Sequence, residues 1–269
     1  MGIVNVTPDS FSDGGRYLDP EVAVAHGLQL EAEGAEILDV GGESTRPGAE
    51  AVAAEEEMRR VLPVIEGLMD AGTTCEISID TSKAVVAEAA LGAGAAIVND
   101  VTALADPQMA AAVVAGRASL ILMHMLGSPR TMQDDPAYDD VLGEVRDYLA
   151  ERVEAAVAAG VPEDAILVDP GIGFGKTVEH NLELIGRLGE LRELGRPIVF
   201  GASRKRFIGA ITGREVDERL GGSVAAAVLA LAGGAEILRV HDVAATADSV
   251  RVAEAILGTR EWRSEMAIR

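Results

Sequence analysis

Short runs of apolar residues alternate along the chain with longer segments whose apolar positions repeat every three or four residues. The apolar runs predict eight β-strands, at residues 2–6, 37–40, 76–80, 96–100, 119–124, 165–169, 197–200 and 237–240. The segments of helical period predict helices at residues 20–34, 50–71, 82–94, 107–116, 139–160, 178–194, 217–233 and 244–257. Strands that are apolar throughout and alternate with amphipathic helices are typical of a parallel sheet covered by helices.

Eight consecutive strand–helix units predict an α/β fold, a single-domain (β/α)8 barrel of the TIM type over residues 1–269. No low-complexity linker divides the chain, and we expect the polar residues 259–269 to form a frayed tail. A doubly wound open sheet is the alternative. Such a sheet usually carries a dinucleotide-binding glycine fingerprint after its first strand, and the segment TPDSFSDGG at residues 7–15 does not match one.

The composition limits the classes of function. Hydrophobic residues make up 48% of the 269 and aromatic residues only 3%, so the core must be mainly aliphatic. A formal net charge of −21 argues against nonspecific binding to nucleic acid or to an anionic membrane surface. Cys75 is the only cysteine, which excludes a disulfide within the chain. Neither a secretion signal nor an apolar run of ~18 residues is visible, so we expect a cytoplasmic protein.

Polar side chains occur where the predicted strands end. The stretch ILDVGGESTRPG at residues 37–48 is typical, because an apolar strand with one acid reaches two glycines and then a loop of hydroxyls and a guanidinium. Each such residue alone could be a helix N-cap, a reading that stays open for Asp80 and Asp100. In a barrel, however, all the strand C-termini meet at one mouth, where active sites lie. The residues at or near these ends are Asn5, Asp39, Asp80, Asn99, His124, Asp169, Ser203 and His241.

Positive charge is concentrated near the same ends, although the chain is acidic. The cationic residues there are Lys83, Lys176, Lys205, Arg46, Arg204 and Arg239, and these lysines are the only three in the chain. They predict an anionic ligand. Asp80 and Asp169 could accept hydrogen bonds from an amino-substituted heterocycle. Asn5 could help to hold Mg²⁺ together with phosphate oxygens.

Three other kinds of site are disfavoured. The segment PGIGFGKT at residues 170–177 lacks the first glycine of a phosphate-binding loop, because Pro170 stands there. Its glycines are expected to let the backbone approach a flat ligand. The sequence contains no cysteine–histidine cluster for zinc. Ser203 has no base and orienting acid nearby in sequence, which argues against a nucleophilic triad.

Taken together, these motifs resemble the dihydropteroate synthase family over nearly the whole chain. The matching segments are NVTPDSFSDGG (5–15), DVGGESTRPG (39–48), SIDTSK (78–83), VND (98–100), LMHM (122–125), DPGIGFGKT (169–177), GASRKRF (201–207) and RVHD (239–242). The resemblance implies a (β/α)8 transferase of folate synthesis. Such an enzyme joins 6-hydroxymethyl-7,8-dihydropterin pyrophosphate to p-aminobenzoate and releases pyrophosphate. It also implies Mg²⁺ as cofactor, a homodimer and sensitivity to sulfonamides.

The resemblance further implies roles for individual residues. Those expected to hold the pterin ring are Asp80, Asn99, Asp169 and Lys205, with Asn5 as the Mg²⁺ ligand. Arg239 and His241 would bind the pyrophosphate. The expected p-aminobenzoate pocket consists of Thr45, Arg46, Pro47, Phe174 and Ser203, closed by Phe11 and Asp13 of the first loop. Catalysis is then assigned to Lys205, Arg239, His241, Asp13 and Arg46. Its main contribution is expected to be electrostatic stabilisation of the departing anion, without a protein nucleophile.

Three rival functions are compatible with part of this pattern. A pterin-binding methyltransferase barrel would have no need for the STRPG segment or for the arginine–histidine pair. An inactive synthase-like paralogue is disfavoured by the intact STRPG and SRK motifs. A non-enzymatic pterin-binding protein would not turn over the pyrophosphate substrate.

Overall fold

The structure is a computed structural model that describes residues 1–7, 19–45, 48–128 and 130–258. Four of the candidate site residues lie outside these ranges, namely Phe11, Asp13, Arg46 and Pro47. The tail expected at residues 259–269 also lies outside them.

All eight predicted strands are present, each within two residues of its expected start. They are β1 Gly2–Asn5, β2 Ile37–Gly41, β3 Glu76–Asp80, β4 Ile97–Asp100, β5 Ser119–Met123, β6 Ile166–Asp169, β7 Val199–Phe200 and β8 Ile237–Leu238. The helices are α1 Pro20–Ala32, α2 Ala54–Asp70, α3 Ala84–Gly92, α4 Met109–Gly116, α5 Val141–Ala158, α6 Val178–Gly186, α7 Arg206–Thr212, α8 Leu220–Ala232 and α9 Val243–Leu257.

The strands form a closed parallel barrel. Strands β1 to β6 pair in sequence order, and β7 pairs with β8. A parallel bridge between Val168 and Ile198 joins β6 to the start of β7, and another between Gly2 and Val240 joins the end of β8 to β1. Backbone hydrogen bonds seal this second junction, with Ile3 N donating to Val240 O at 3.1 Å. The closure rules out the doubly wound open sheet and confirms the predicted (β/α)8 fold.

The positions facing the barrel axis change from apolar to polar towards the strand C-termini. Because side chains alternate between the two faces of a strand, residues two apart share a face. In β4 the buried Ile97 is followed on the same face by Asn99, and in β6 Leu167 is followed by Asp169. Ile97 and Leu167 belong to an apolar cluster near the strand N-termini. The barrel is therefore filled at one end and polar at the other.

Helix ends explain most differences from the predicted boundaries. Asp19 caps α1 as expected, since its side chain accepts from Glu21 N at 3.0 Å. The predicted helix at residues 178–194 is α6 followed by a 3-10 helix, Leu188–Leu194. Helix α7 is absent from the sequence prediction, because seven residues are too few to establish a helical period. It buries Phe207 and Ile208 and begins directly after Lys205. No helix among the described residues has both the length and the apolar character needed to span a membrane.

Candidate active site

Arg239 forms the centre of a buried ionic network at the mouth of the barrel. Its Nε donates to Asp39 Oδ2 at 2.6 Å and its Nη2 to Asp80 Oδ2 at 2.7 Å. Asn99 Nδ2 also donates to Asp39 Oδ2, at 3.3 Å. Asp39 is fully buried and Asp80 nearly so, which means that both carboxylates depend on these partners. Residues from several different strands thus meet at one point.

A second ionic group lies beside this network, at the ends of β6 and β7. Lys205 donates from Nζ to the carbonyl oxygen of Ile172, and its ammonium lies 4.4 Å from the centre of the Phe174 ring. Asp169 Oδ1 accepts from Gly171 N at 2.7 Å. The structure therefore brings Asp169, Phe174 and Lys205, all predicted site residues, into one corner of the mouth.

Burial shifts the pKa values of these groups away from their ordinary ranges. It raises the pKa of Asp80 to about 7, although the Arg239 guanidinium acts in the opposite direction. It also raises the pKa of Asp169, against the effect of Lys205. It lowers the pKa of Lys205 to about 8, with Asp169 opposing the change. Shifts of this kind are frequent at functional sites, because the groups lie in a dry cleft beside specific charges.

Ser203 and His241 contact each other across the ends of β7 and β8. The hydroxyl oxygen of Ser203 lies 3.0 Å from His241 Nδ1 and accepts from the backbone N–H of His241 at 3.2 Å. The fold thus places the imidazole of His241 next to Ser203, although the two residues are 38 positions apart in the sequence. The acid next to this histidine, Asp242, forms a bidentate pair with Arg204 at 3.0 and 2.6 Å.

The remaining predicted residues lie around the same opening. Asn5 ends β1 close to Gly41, where an added Cβ would stand 3.5 Å from Asp80 Cβ and 3.8 Å from Asn5 Oδ1. A glycine at this position keeps the space between the two side chains open. Thr45 is partly buried in the loop after β2. The described residues contain no group of three or more histidine, cysteine, aspartate or glutamate side chains arranged to hold a metal.

The structure corrects the expectation that all three lysines serve an anionic ligand. Lys83 Nζ lies 2.7 Å from Glu43 and 2.6 Å from Glu57, so its charge is neutralised within the protein. Lys176 is only 2% exposed and binds His124 and two backbone carbonyls. Burial lowers the pKa of Lys176 to about 7 against the charge of Asp169, whereas Lys205 interacts electrostatically with both Asp169 and Asp80.

Two contributions could not be assigned from the sequence. In the sequence, Asp39 is recognisable as an acid near a strand end, but no role follows from that position. The structure shows that Asp39 binds Arg239. The signal was present, because an acid inside an apolar strand needs a buried partner. The pairing of His124 with Lys176 had no comparable signal, since 52 residues separate the two.

Comparison with known proteins shows the family to which the chain belongs. The model of the pterin binding enzyme family matches residues 1–241. The chain is 46% identical to the dihydropteroate synthase of Escherichia coli K12 over 261 residues, which are 97% of this chain and 92% of that protein. The chain belongs to the dihydropteroate synthase family.

Solved structures of family members superpose closely. The Yersinia pestis dihydropteroate synthase in a sulfonamide drug complex gives a TM-score of 0.93 at 42% identity and covers 96% of this chain and 94% of that one. The Xanthomonas albilineans dihydropteroate synthase with 4-aminobenzoic acid gives 0.89 at 54% identity, covering 96% and 92%. As a dihydropteroate synthase, the chain is a transferase that condenses the pterin pyrophosphate with p-aminobenzoate to give 7,8-dihydropteroate.

Proposed function

We propose that the two ionic groups at the barrel mouth divide the substrates of this condensation between them. The observation that carries the proposal is the buried network of Asp39, Arg239 and Asp80 beside the corner formed by Asp169 and Lys205. A closed barrel has little structural need for so many charges at one end. A ligand with both amino groups and phosphates would use them.

The pterin ring is assigned to Asp80, Asn99, Asp169 and Lys205. Its amino and ring N–H groups are donors that match buried carboxylates, and its carbonyl oxygen is an acceptor that matches an ammonium. The raised pKa values of Asp80 and Asp169 support this assignment, because each carboxylate lies in a dry site where a donor from the ligand would stabilise its charge. Asp80 would then exchange part of its contact with Arg239 for contact with the pterin.

The pyrophosphate is assigned to Arg239 and His241. Asp39 would keep the guanidinium in place while Asp80 turns to the pterin, because Arg239 Nε contacts Asp39 and Nη2 contacts Asp80. We assign Mg²⁺ to Asn5, whose amide oxygen is a hard ligand at the open side of the mouth. A single neutral ligand suits an ion that keeps several waters and is completed by substrate phosphates. When bound, Mg²⁺ would neutralise charge on the leaving pyrophosphate.

The p-aminobenzoate is assigned to Thr45, Phe174 and Ser203, with Arg46, Pro47, Phe11 and Asp13 from the segments that are not described. The arylamine nitrogen would form a bond to the pterin CH2 carbon as the bond from that carbon to the pyrophosphate oxygen breaks, and the amine would release one proton. Because the pterin can delocalise positive charge, departure of the anion would lead. The main task of Arg239 and His241 would be to stabilise that anion, while Lys205 would contribute by holding the pterin ring in place.

The proposal also includes the oligomeric state and the cellular location of the enzyme. The chain would act as a single-domain homodimer in the cytoplasm. Helices α7, α8 and α9 each expose apolar side chains that a subunit interface would cover. These side chains are Ile211, Leu229, Val252 and Ile256.

Pyrophosphate release is the direct test, measured with both substrates and with each omitted. Release that needs both substrates supports the synthase and excludes the methyltransferase, paralogue and scaffold alternatives. Removal of Mg²⁺ by a chelator should weaken binding of the pterin pyrophosphate and leave binding of p-aminobenzoate unchanged. Binding that responds neither to the chelator nor to Asn5→Ala would contradict the metal assignment.

Asp169→Asn tests the pterin assignment. Replacing a buried charged acceptor should cost ~2–4 kcal/mol of pterin binding free energy, which calorimetry can measure. Asp164→Asn, at an exposed position just before the start of the same strand, is the matched control. Unchanged pterin affinity in Asp169→Asn would refute the role. A collapse of the melting temperature would instead make Asp169 a structural residue.

A further inference from the structure

Lys176 is the most deeply buried lysine in the described part of the chain, yet no substrate group is assigned to it. Its side-chain nitrogen lies 2.8 Å from His124 Nδ1 and donates to the carbonyl oxygens of Gly171 at 3.1 Å and of Phe174 at 3.0 Å. Two of its three partners therefore belong to the loop between β6 and α6. This loop, residues 170–176, also carries the carbonyl and the ring that contact Lys205.

His124 is fixed from several sides. Its backbone N–H donates to Asp169 O at 3.0 Å, and its ring meets the Tyr148 ring edge-on at 4.9 Å between centroids. Burial, followed by the Lys176 charge, lowers the pKa of His124 to about 3. The imidazole is therefore neutral at physiological pH. Burial also lowers the pKa of Lys176 to about 7, with Asp169 opposing the change, and its Nζ can donate a hydrogen bond to Nδ1 as an ammonium or as a neutral amine.

The loop has little room to move against these partners. Gly171 has φ +67° and Gly175 φ +62°, which other residues adopt at a cost. A Cβ added at Gly171 would collide with the carbonyl oxygen of His124, and one added at Gly175 would stand 2.6 Å from Leu126 O. The loop backbone thus packs directly on the segment that follows β5.

Other side chains bind the remaining loop groups. Gln133 donates to Gly173 O at 2.9 Å, and Tyr138 donates to Gly175 O at 2.8 Å. Asn181 accepts from Gly173 N at 2.6 Å. The Lys176 contacts differ from these because they join the two ends of the turn, Gly171 and Phe174. A backbone hydrogen bond from Phe174 N to Gly171 O at 3.0 Å closes the same turn. Lys176 thus reinforces the turn that carries the Ile172 carbonyl and the Phe174 ring, the two groups that hold Lys205.

We propose that Lys176 and His124 are positioning residues that fix the loop of residues 170–176 so that it holds Lys205 in its pterin-binding place. The inference rests on the proposed role of Lys205 in pterin binding. It makes Lys176 a residue that affects substrate affinity without touching substrate.

A double-mutant cycle tests this coupling. Pterin affinity is measured by calorimetry for the parent enzyme, Lys176→Met, Lys205→Met and the double variant. If Lys176 acts through Lys205, Lys176→Met should weaken binding about tenfold alone and add almost nothing to Lys205→Met, because the two residues would share one effect. Lys83→Met is the matched control, a partly buried lysine that contacts Glu43 and Glu57 elsewhere in the barrel. Its effect should be additive with that of Lys205→Met.

A second pair of variants separates positioning from folding. His124→Asn keeps an acceptor near the place of Nδ1 and should keep affinity within about threefold of the parent, whereas His124→Leu should lose affinity as Lys176→Met does. If Lys176→Met does not fold, His124→Leu replaces it in the cycle. Additive effects of Lys176→Met or His124→Leu with Lys205→Met would overturn the inference. Unchanged pterin binding in Lys205→Met would instead refute the proposed function of Lys205 itself.

Discussion

At the scale of single residues, the site is a set of buried charges that have fixed partners. The surroundings of Lys205 show how little space such a side chain has. Its ammonium lies over the Phe174 ring and binds the Ile172 carbonyl, and a Cβ added at Gly173 would stand 3.1 Å from its Cδ. The side chain therefore fills a channel bounded by the loop backbone, which suits a thin alkyl stem with a compact charge at its end.

We predict that Lys205→Arg is not a conservative change. A planar guanidinium fork cannot occupy the place of a compact ammonium against a carbonyl and a ring without moving the loop. Steady-state kinetics should show at least a tenfold loss of kcat/KM, which corresponds to ~1.4 kcal/mol of transition-state stabilisation. Arg206→Lys, the converse exchange at the adjacent exposed position, is the control. Kinetics equal to those of the parent would show that the channel does not discriminate between the two cations.

His124 should make the fold sensitive to acid. Its pKa is about 3 in the folded protein against an ordinary value of 6.5, because burial disfavours the imidazolium. Between these values the unfolded chain binds a proton that the folded chain does not. The free energy of unfolding should therefore fall as the pH drops from 6.5 towards 3, by up to ~1.4 kcal/mol per pH unit from this group.

The measurement compares urea unfolding of the parent and of His124→Asn across that pH range. Asp80 acts in the opposite direction, since its raised pKa contributes stability at low pH that is lost as the pH rises through about 7. Because both proteins contain Asp80, its effect cancels in their difference. A difference in stability that stays constant from pH 3 to pH 6.5 would contradict the prediction.

At the scale of secondary-structure elements, the loops carry several of the residues assigned to the substrates, and ion pairs attach the loops to the helices. The loop after β2 is an example. Glu43 accepts from Val52 N at 2.7 Å and binds Lys83, which also binds the fully buried Glu57 of α2 at 2.6 Å. Lys83 thereby joins the β2–α2 loop to the body of α2, and Thr45 lies two residues beyond Glu43.

We predict that Lys83→Met lowers stability and weakens p-aminobenzoate binding more than pterin binding. Leaving Glu57 buried without its cation should cost ~3–5 kcal/mol in urea unfolding. In Lys83→Met/Glu57→Leu no buried charge remains, so most of that loss should be recovered. The Michaelis constant for p-aminobenzoate should stay raised in both variants, because the loop has lost its anchor. Recovery of that constant in the double variant would show that stability alone determined it.

The elements themselves were predictable because barrel strands and covering helices have clear apolar patterns. The sequence predicted each strand. It also placed Asn5, Asp80, Asn99 and Asp169 at or next to strand ends, where the structure has them, whereas His241 lies three residues beyond the end of β8. Partners could not be predicted, since ion pairs such as Arg239 with Asp39 join residues 200 positions apart. For the same reason the sequence could not separate Lys205, at the mouth, from Lys176 and Lys83, which serve the loops.

At the scale of the whole molecule, barrel closure determines where the charged side chain of Arg239 lies. A chain of net charge −21 would be expected to repel an anionic substrate. The bridge between Gly2 and Val240 brings β8 beside β1, and this places Arg239 opposite the ends of β2 and β3. Closure thus places a guanidinium, held between two carboxylates, at the end of the barrel where the strands are polar.

The same architecture leads to a prediction for p-aminobenzoate analogues. A pocket that binds a flat aminoaryl ring largely by apolar contact cannot strongly reject a near-isostere of that ring. The Phe174 ring is held in place by the loop of residues 170–176, and Ser203 is buried at the end of β7. The segment from Ser203 to Phe207 continues directly into α7 without an insertion. We therefore expect sulfonamides to inhibit this enzyme competitively with p-aminobenzoate.

The test is the initial rate as a function of p-aminobenzoate concentration at several fixed concentrations of one sulfonamide. Competitive inhibition raises the Michaelis constant for p-aminobenzoate and leaves kcat unchanged. Phe174→Leu gives an internal check, because losing the ring should raise the inhibition constant and that Michaelis constant together if both ligands contact it. Inhibition that excess p-aminobenzoate does not relieve would mean that the drug binds elsewhere. A Phe174→Leu variant that loses affinity for only one of the two ligands would mean that they do not share the wall formed by this ring.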